Sequence, residues 1–440
     1  MIELLSSSQS YCDGVSRRNL IKIGALTLPG LTLANLLRAN AAAKDDAPRR
    51  SASVIFIELA GGPSHFETYD PKPTAPKEYR GPFASIPTRL PGVRFSELMA
   101  RQAQVADRLA ILRAIHHDSS SHETSSHLVQ TGYYLRDRQN RENEMPCVGA
   151  VTARVHGPNQ PGLPAYVAVP QMMRSGAAAH LGKAYNPFIT GGDPNRPNFQ
   201  VNNLELTKSL SLKRLGSRRA LLASLDRSRA VLDNRGVTQA IDQFAVQAFD
   251  MVTGDRARKA FDISAEDEKV RNRYGRTTVG QSLLLARRLV EAGVAFVSVR
   301  AGGWDDHVDI AKRMRDKGPA YDQGVAALVS EIHERGLDRD VLVVAMGEFG
   351  RTPRVNRNAG RDHWGSVMSV LLSGGGLKMG QVIGSSNRKG EIPQDQPYRP
   401  ENVLAMIYRH VGIDPAQTFD DFAGRPRYLL EERGLIPELI

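Results

Sequence analysis

The segment GQSLLLARRLVEAG runs straight into VAFVSVR, and YDQGVAALVSEIHERG runs into VLVVAM. In each pair, apolar residues at three- and four-residue spacing give way to a short β-branched run, which reads as a helix followed by a strand. Helix–strand units in succession feed parallel strands, and a parallel strand must be covered on both faces. SASVIFIEL (51–59), LAILRAI (109–115), PAYVAVP (164–170) and SVMSVLLSGGG are further apolar runs of strand length. The expected fold class is therefore α/β, with a central, mostly parallel sheet flanked by helices. The 440 residues show no repeat and no visible boundary after the first fifty. One large domain over 51–440 is expected, with a helical insertion around 204–262.

The first 43 residues read as an address. SRRNLIKIGALTLPGLTLANLLRANAAAK has paired arginines, a weakly apolar run and a small-residue end, the three-part layout of a bacterial export signal. Ser16 to Lys22 resembles the twin-arginine signal, with Leu20 and Ile21 at its apolar positions. The run from Ile23 to Leu37 falls short of the roughly 20 residues a membrane-spanning helix needs, so no stable transmembrane segment is expected after processing. Residues 44–50 form a charged linker. The expectations are engagement of the twin-arginine export machinery and residence in the periplasm or outside the cell.

Charge and cysteine content narrow the chemistry. The net charge is +11, and residues 1–43 carry four basic and two acidic side chains, so the remainder keeps +9. A basic surface favours anionic partners such as phosphate or sulfate esters and polyanionic glycans. No nucleic-acid motif is present, and aromatics do not interleave with the basic runs as stacking platforms would, so no nucleic-acid partner is expected. Cys12 lies in the leader and Cys147 stands alone beyond it, which excludes an internal disulfide or a thiolate zinc site in the remainder.

Four polar clusters stand at strand ends or helix starts. GGPSHFETYDPKP carries His65, Glu67 and Asp70, and HHDSSSHETSSH carries His116, His117, Asp118, His122 and His127. GWDDH carries Asp305, Asp306 and His307, while GEFGRTP with GRDHWG carries Glu348, Arg351, Arg361, Asp362 and His363. In open α/β sheets, ligands bind beyond the carboxyl ends of the strands, so one crevice would collect all four. Imidazole and carboxylate without thiolate suit zinc, manganese or iron, and carboxylate alone suits calcium or magnesium. A plainer reading stands beside this one: the aspartate pair caps the helix that begins near Val308, and the serine-rich stretch is a polar loop. Arg351, with Gly347 and Gly350 nearby, has the chemistry for a bidentate grip on an oxyanion, or is an ordinary surface arginine.

The ordered series GGPSHFETYDPKP, HxxxxHxxxTGY, LLARRLVEAGVAFVSV, GWDDH, GEFGRTP, GRDHWG and GGGLKMGQVIG closely resembles domain-of-unknown-function family 1501. That family is related to the alkaline phosphatase and sulfatase superfamily. The resemblance implies an alkaline-phosphatase-like sheet and one or two divalent ions, with zinc, manganese or calcium expected. It places Asp305, His307 and His363 at metal-ligand positions, with Glu348 and either Glu67 or Asp70 completing the set. Counting back from Thr131-Gly132 to the superfamily's nucleophile position lands on His122 rather than on Ser, Thr or Cys. The Cys-x-Pro-x-Arg pattern of formylglycine sulfatases is absent. His122 is thus a nucleophile or general acid/base, a metal ligand, or a mark of lost activity.

Two functions follow as expectations. The first is an exported metal-dependent hydrolase of phosphate or sulfate esters, acting on an anionic ester or sulfated glycan, with Arg351 steadying the oxyanion. The alternative is a non-catalytic polyanion- or glycan-binding protein on the same fold.

Overall fold

The computed structural model describes residues 52–137, 142–201 and 254–440. The expected export signal, the linker and most of the expected 204–262 insertion lie outside the described residues. Within them, eight strands form one sheet. In chain order these are β1 (Ser53–Leu59), β2 (Ala110–Ile115), β3 (Tyr166–Val169), β4 (Phe188–Ile189), β5 (Phe296–Ala301), β6 (Val341–Met346), β7 (Met368–Gly374) and β8 (Gln381–Ile383). Their order across the sheet is β8-β2-β7-β6-β1-β5-β3-β4. β1 lies parallel to both β5 and β6, with Val54 opposite Phe296 on one side and Leu342 on the other. Only β7 runs against its neighbours, antiparallel to β6 and to β2. The sheet is mostly parallel and flanked by helices, as the alternating units require.

Side chains along each strand divide between two cores at the period of two that a pleated strand imposes. Ile55, Ile57, Val297, Val299, Val343 and Ala345 enter one core. Helices α3 (Thr278–Ala292) and α4 (Ile310–Glu334) pack there through Leu283, Leu284, Val325 and Leu328. Val54, Phe56, Phe296, Leu342 and Val344 enter the other. This second core is covered by α1 (His122–Thr131), α2 (Val148–Val155) and α5 (Pro400–His410). All seven residues of β1 are buried, as a strand covered on both faces must be.

Strand direction decides where the polar clusters emerge. β1, β2, β5 and β6 run the same way, so the segments after them leave by one edge of the sheet. β7 runs oppositely, so the segment before it, which holds His363, arrives at that same edge. A short antiparallel pair, Gly350–Arg351 with His363–Trp364, sets Arg351 opposite His363. A bridge from Val308 to Ala359 ties the GWDDH loop to the loop before His363. The helix after GWDDH is capped by Asp309, whose carboxylate accepts from the Lys312 amide at 3.1 Å, and not by the aspartate pair.

Candidate metal centre

Asp305 lies at the middle of the strand-end crevice. Gly61, at the turn after β1, lets the chain pass so close that a Cβ there would stand 2.4 Å from the Asp305 amide. Gly360 does the same for the loop before His363, where a Cβ would meet the His307 carbonyl carbon at 2.0 Å. The neighbouring aspartates diverge. Asp306 is buried and ion-paired with Lys317, whose ammonium also lies over the Trp304 ring. Asp305 is left facing three imidazoles.

Those imidazoles share one arrangement. His363 places Nδ1 2.9 Å from the Ser120 carbonyl and Nε2 3.0 Å from Asp305 Oδ1. His307 places Nδ1 2.6 Å from Asp362 Oδ1 and Nε2 3.0 Å from Asp305 Oδ1. His122, the first residue of α1, places Nδ1 2.6 Å from Glu348 Oε1 and Nε2 3.3 Å from Asp305 Oδ2. A carbonyl or carboxylate oxygen only accepts, so each Nδ1 is the protonated nitrogen and each Nε2 is turned to Asp305. The Nε2 atoms of His307 and His363 are themselves 3.0 Å apart. Two ring nitrogens and a carboxylate oxygen at mutual distances of 3.0 Å crowd three acceptors together unless a proton or a cation lies among them. Oxygen partners behind metal-binding imidazoles fix tautomer and ring orientation in this way.

The electrostatics fit the same picture. Burial opposes ionisation of Asp305, but the hydrogen bond from the Arg351 guanidinium outweighs it and holds the carboxyl well below its ordinary range. The hydrogen bond to Glu348 raises the His122 pKa against the opposing effect of burial. Burial lowers that of His363. Among the described residues, one group of His, Cys, Asp and Glu side chains converges tightly enough to hold an ion, and it contains His122, Asp305 and His363. His307 reaches the same carboxylate oxygen.

The remaining sequence-predicted residues sit further back. Glu348 receives the Gly61 amide on both carboxylate oxygens at 3.0 Å as well as His122, so it orients that ring. Arg351 is fully buried, and its fork is taken up by the Gly61, Gly62 and Arg361 carbonyls and by Asp305. It positions Asp305, and its donors face protein oxygens. Glu67 is buried in a bidentate pair with Arg361, at 3.0 and 2.9 Å, and does not reach the three imidazoles. Asp70 binds Ser386 Oγ at 2.6 Å and faces Lys72 and Arg113. Of the histidine-rich stretch, His122 alone meets Asp305. His117 binds the Glu348 carbonyl at 2.7 Å, and His127 binds the Tyr133 carbonyl.

A cavity of about 370 Å³ opens beside the centre, lined by His122, Asp305, Glu348, Glu58, Arg174 and Arg300. The last three were not anticipated as site residues. Glu58 carried a readable signal as the one charge inside the apolar run SVIFIEL, and Arg300 ends its strand in the same way. Arg174 carries no comparable signal.

A family model described as "Protein of unknown function (DUF1501)" matches residues 51–440, and the chain belongs to that family. No curated protein matches the sequence. Among solved structures, the chain is similar to the PsFucS1 sulfatase from Pseudoalteromonas sp. at 12% identity and a TM-score of 0.39, covering 85% of this chain and 70% of that one. It is similar to Ps i-CgsB at 10% identity and a TM-score of 0.37, covering 83% and 72%. A third is the phosphonate monoester hydrolase of Agrobacterium radiobacter, at 10% identity and a TM-score of 0.33, covering 84% and 75%. Overlaps this distant decide neither activity nor substrate.

Proposed function

We propose that this member of the DUF1501 family is a metal-dependent hydrolase of phosphate or sulfate esters. The observation that carries the reading is the convergence of His307 Nε2, His363 Nε2 and Asp305 Oδ1 at 3.0 Å from one another, each imidazole backed by an oxygen acceptor. That donor set fits a divalent cation, with Asp305, His307 and His363 as its ligands. Imidazole-rich ligation favours zinc or manganese over calcium. When bound, such an ion supplies Lewis acidity toward an ester oxygen.

The chain's own groups do the rest. Arg351 keeps Asp305 ionised and aimed at the two imidazoles. Asp362 and the Ser120 carbonyl hold the His307 and His363 rings with Nε2 inward. His122 is held by Glu348 through Nδ1, and that contact raises its pKa. In its doubly protonated form the ring passes the Nε2 proton to the departing alcohol at the cavity wall as a general acid. The net charge of +9 beyond residue 43 favours an anionic ester, sulfated glycans among them.

Export belongs to the same proposal. Twin-arginine machinery carries folded proteins, and a metal enzyme loaded before export suits that route to the periplasm or the medium. Residues 1–43 act as the signal, 44–50 as linker and 51–440 as the single domain, with 204–262 inserted. No helix among the described residues is long and apolar enough to cross a membrane.

Elemental analysis of the purified full chain, followed by aryl phosphate and aryl sulfate hydrolysis, tests the reading. About one equivalent of metal and metal-dependent ester turnover are expected. A protein that binds no metal after reconstitution, and that holds sulfated glycan without turnover, would be a binding module instead.

A further inference from the structure

The cavity beside the centre has a wall that ester cleavage itself does not use. Glu58 stands in it, the single charged side chain of β1, only 5% exposed. Its Oε1 accepts from the Arg174 amide at 3.2 Å, and its Oε2 has no hydrogen-bond partner. A buried polar oxygen without a hydrogen bond calls for an explanation. Arg300 lies on the same wall, its Nε 3.3 Å from that Oε2. Among the described residues, no other carboxylate pairs with Arg300, and no protein oxygen holds its terminal amino groups. Arg174 completes the wall, its Nη1 3.4 Å from Glu123. Burial, and then the charge of Glu348, push the Glu58 carboxyl up to about 8, which weakens its hold on the Arg300 charge. The floor is backbone: Gly302 has nothing within 4 Å of where a Cβ would stand.

We infer that this wall is a subsite for the alcohol portion of the ester, and that it takes a polyhydroxylated carboxylic acid of the sugar-acid class. The ligand's carboxylate pairs with Arg300 and Arg174, and one of its hydroxyls meets Glu58 Oε2. A planar guanidinium with unengaged amino groups matches a carboxylate fork. A hydroxyl both donates and accepts, so it satisfies Glu58 in either protonation state. Neither an anion alone nor a neutral sugar alone meets both demands. The inference rests on the ester-hydrolase reading for the role of the bound acid as leaving group, while the binding itself is tested without turnover.

Ligand-observed saturation-transfer NMR on the full chain, with D-glucuronate, D-glucose and acetate as probes, makes that test. Glucuronate is expected to bind, with glucose and acetate at least tenfold weaker. Arg300→Met and Gly302→Val are each expected to weaken glucuronate at least tenfold, the first by removing the anion partner and the second by filling the floor. The Cβ added at Gly302 meets no protein atom within 4 Å, so the glycine variant tests the subsite independently of the arginine variant. Asp305→Asn with His363→Ala is expected to keep glucuronate binding. Binding that is equal for all three probes, or unchanged in both Arg300→Met and Gly302→Val, overturns the subsite. Persistent, variant-sensitive glucuronate binding in a chain that holds no metal and cleaves no ester would retain the subsite and overturn the hydrolase reading alone.

Discussion

Two charged clusters lie at the same edge of the sheet and look alike on paper. One gathers Asp305 with His122, His307 and His363. The other gathers Glu67 and Asp70 with Arg361, Lys72 and Arg113. In the second, each acid is matched by a base or a hydroxyl, and only Arg113 Nε among the basic groups is left without a hydrogen bond. In the first, the outer nitrogens are satisfied and the inner ones are turned on a single carboxylate. A saturated network is a structural element, whereas a ring of converging acceptors is incomplete until something positive enters it. The number of charges in a cluster does not separate the two. The direction of their lone pairs does.

The sharpest way to break that contrast is to remove ligands from one cluster and partners from the other. His363→Ala is expected to abolish stoichiometric metal and to lower ester turnover by on the order of 10³-fold or more, read by elemental analysis and kinetics on the same sample. His122→Ala should lower turnover by about 10²–10⁴-fold, the range of a lost general acid, while metal content stays within error. Loss of metal in that variant would make His122 a ligand instead. Glu67→Ala leaves the buried Arg361 guanidinium unpaired, and a loss of about 3–5 kcal/mol in denaturant unfolding is expected, with the metal centre still loading. Asp362→Asn keeps the His307 contact but weakens its acceptor, and metal affinity should fall about 10–100-fold in a competition titration.

The last test concerns Glu58. Its carboxyl is raised from 4.5 to about 8, so between those values the folded chain holds a proton that the unfolded chain has released. Stability from this group is therefore present below pH 4.5 and is lost as pH rises toward 8, at no more than about 1.4 kcal/mol per pH unit. Glu58→Gln mimics the protonated form and should flatten the decline of the melting temperature between pH 6 and 9. An unchanged slope would place the titration elsewhere.

Much of this was legible before any coordinates. The continuous β-branched apolar runs SVIFIEL and VLVVAM and the three- and four-residue spacing of LLLARRLVEAG report burial directly, so β1, β6 and α3 fall where the pattern puts them. Pro319 did not end α4, which continues to Glu334, because packing of Met314, Tyr321, Val325 and Leu328 on the sheet holds both halves in line. Arg351 read as a candidate oxyanion grip, but a sequence does not show that its fork would meet three carbonyls first.

The sequence by itself determined the layered α/β architecture and the concentration of imidazole and carboxylate after strands, since both follow from local period and local composition. The tertiary structure alone decided which acids face one another. Asp305 and Asp306 are adjacent and chemically identical, yet one meets three histidines and the other a lysine. That choice depends on the antiparallel course of β7, which brings His363 to the crevice, and on glycine turns that let the loops approach within contact. Contacts between residues far apart in the chain are set by strand order and direction, and no window of neighbouring residues encodes them.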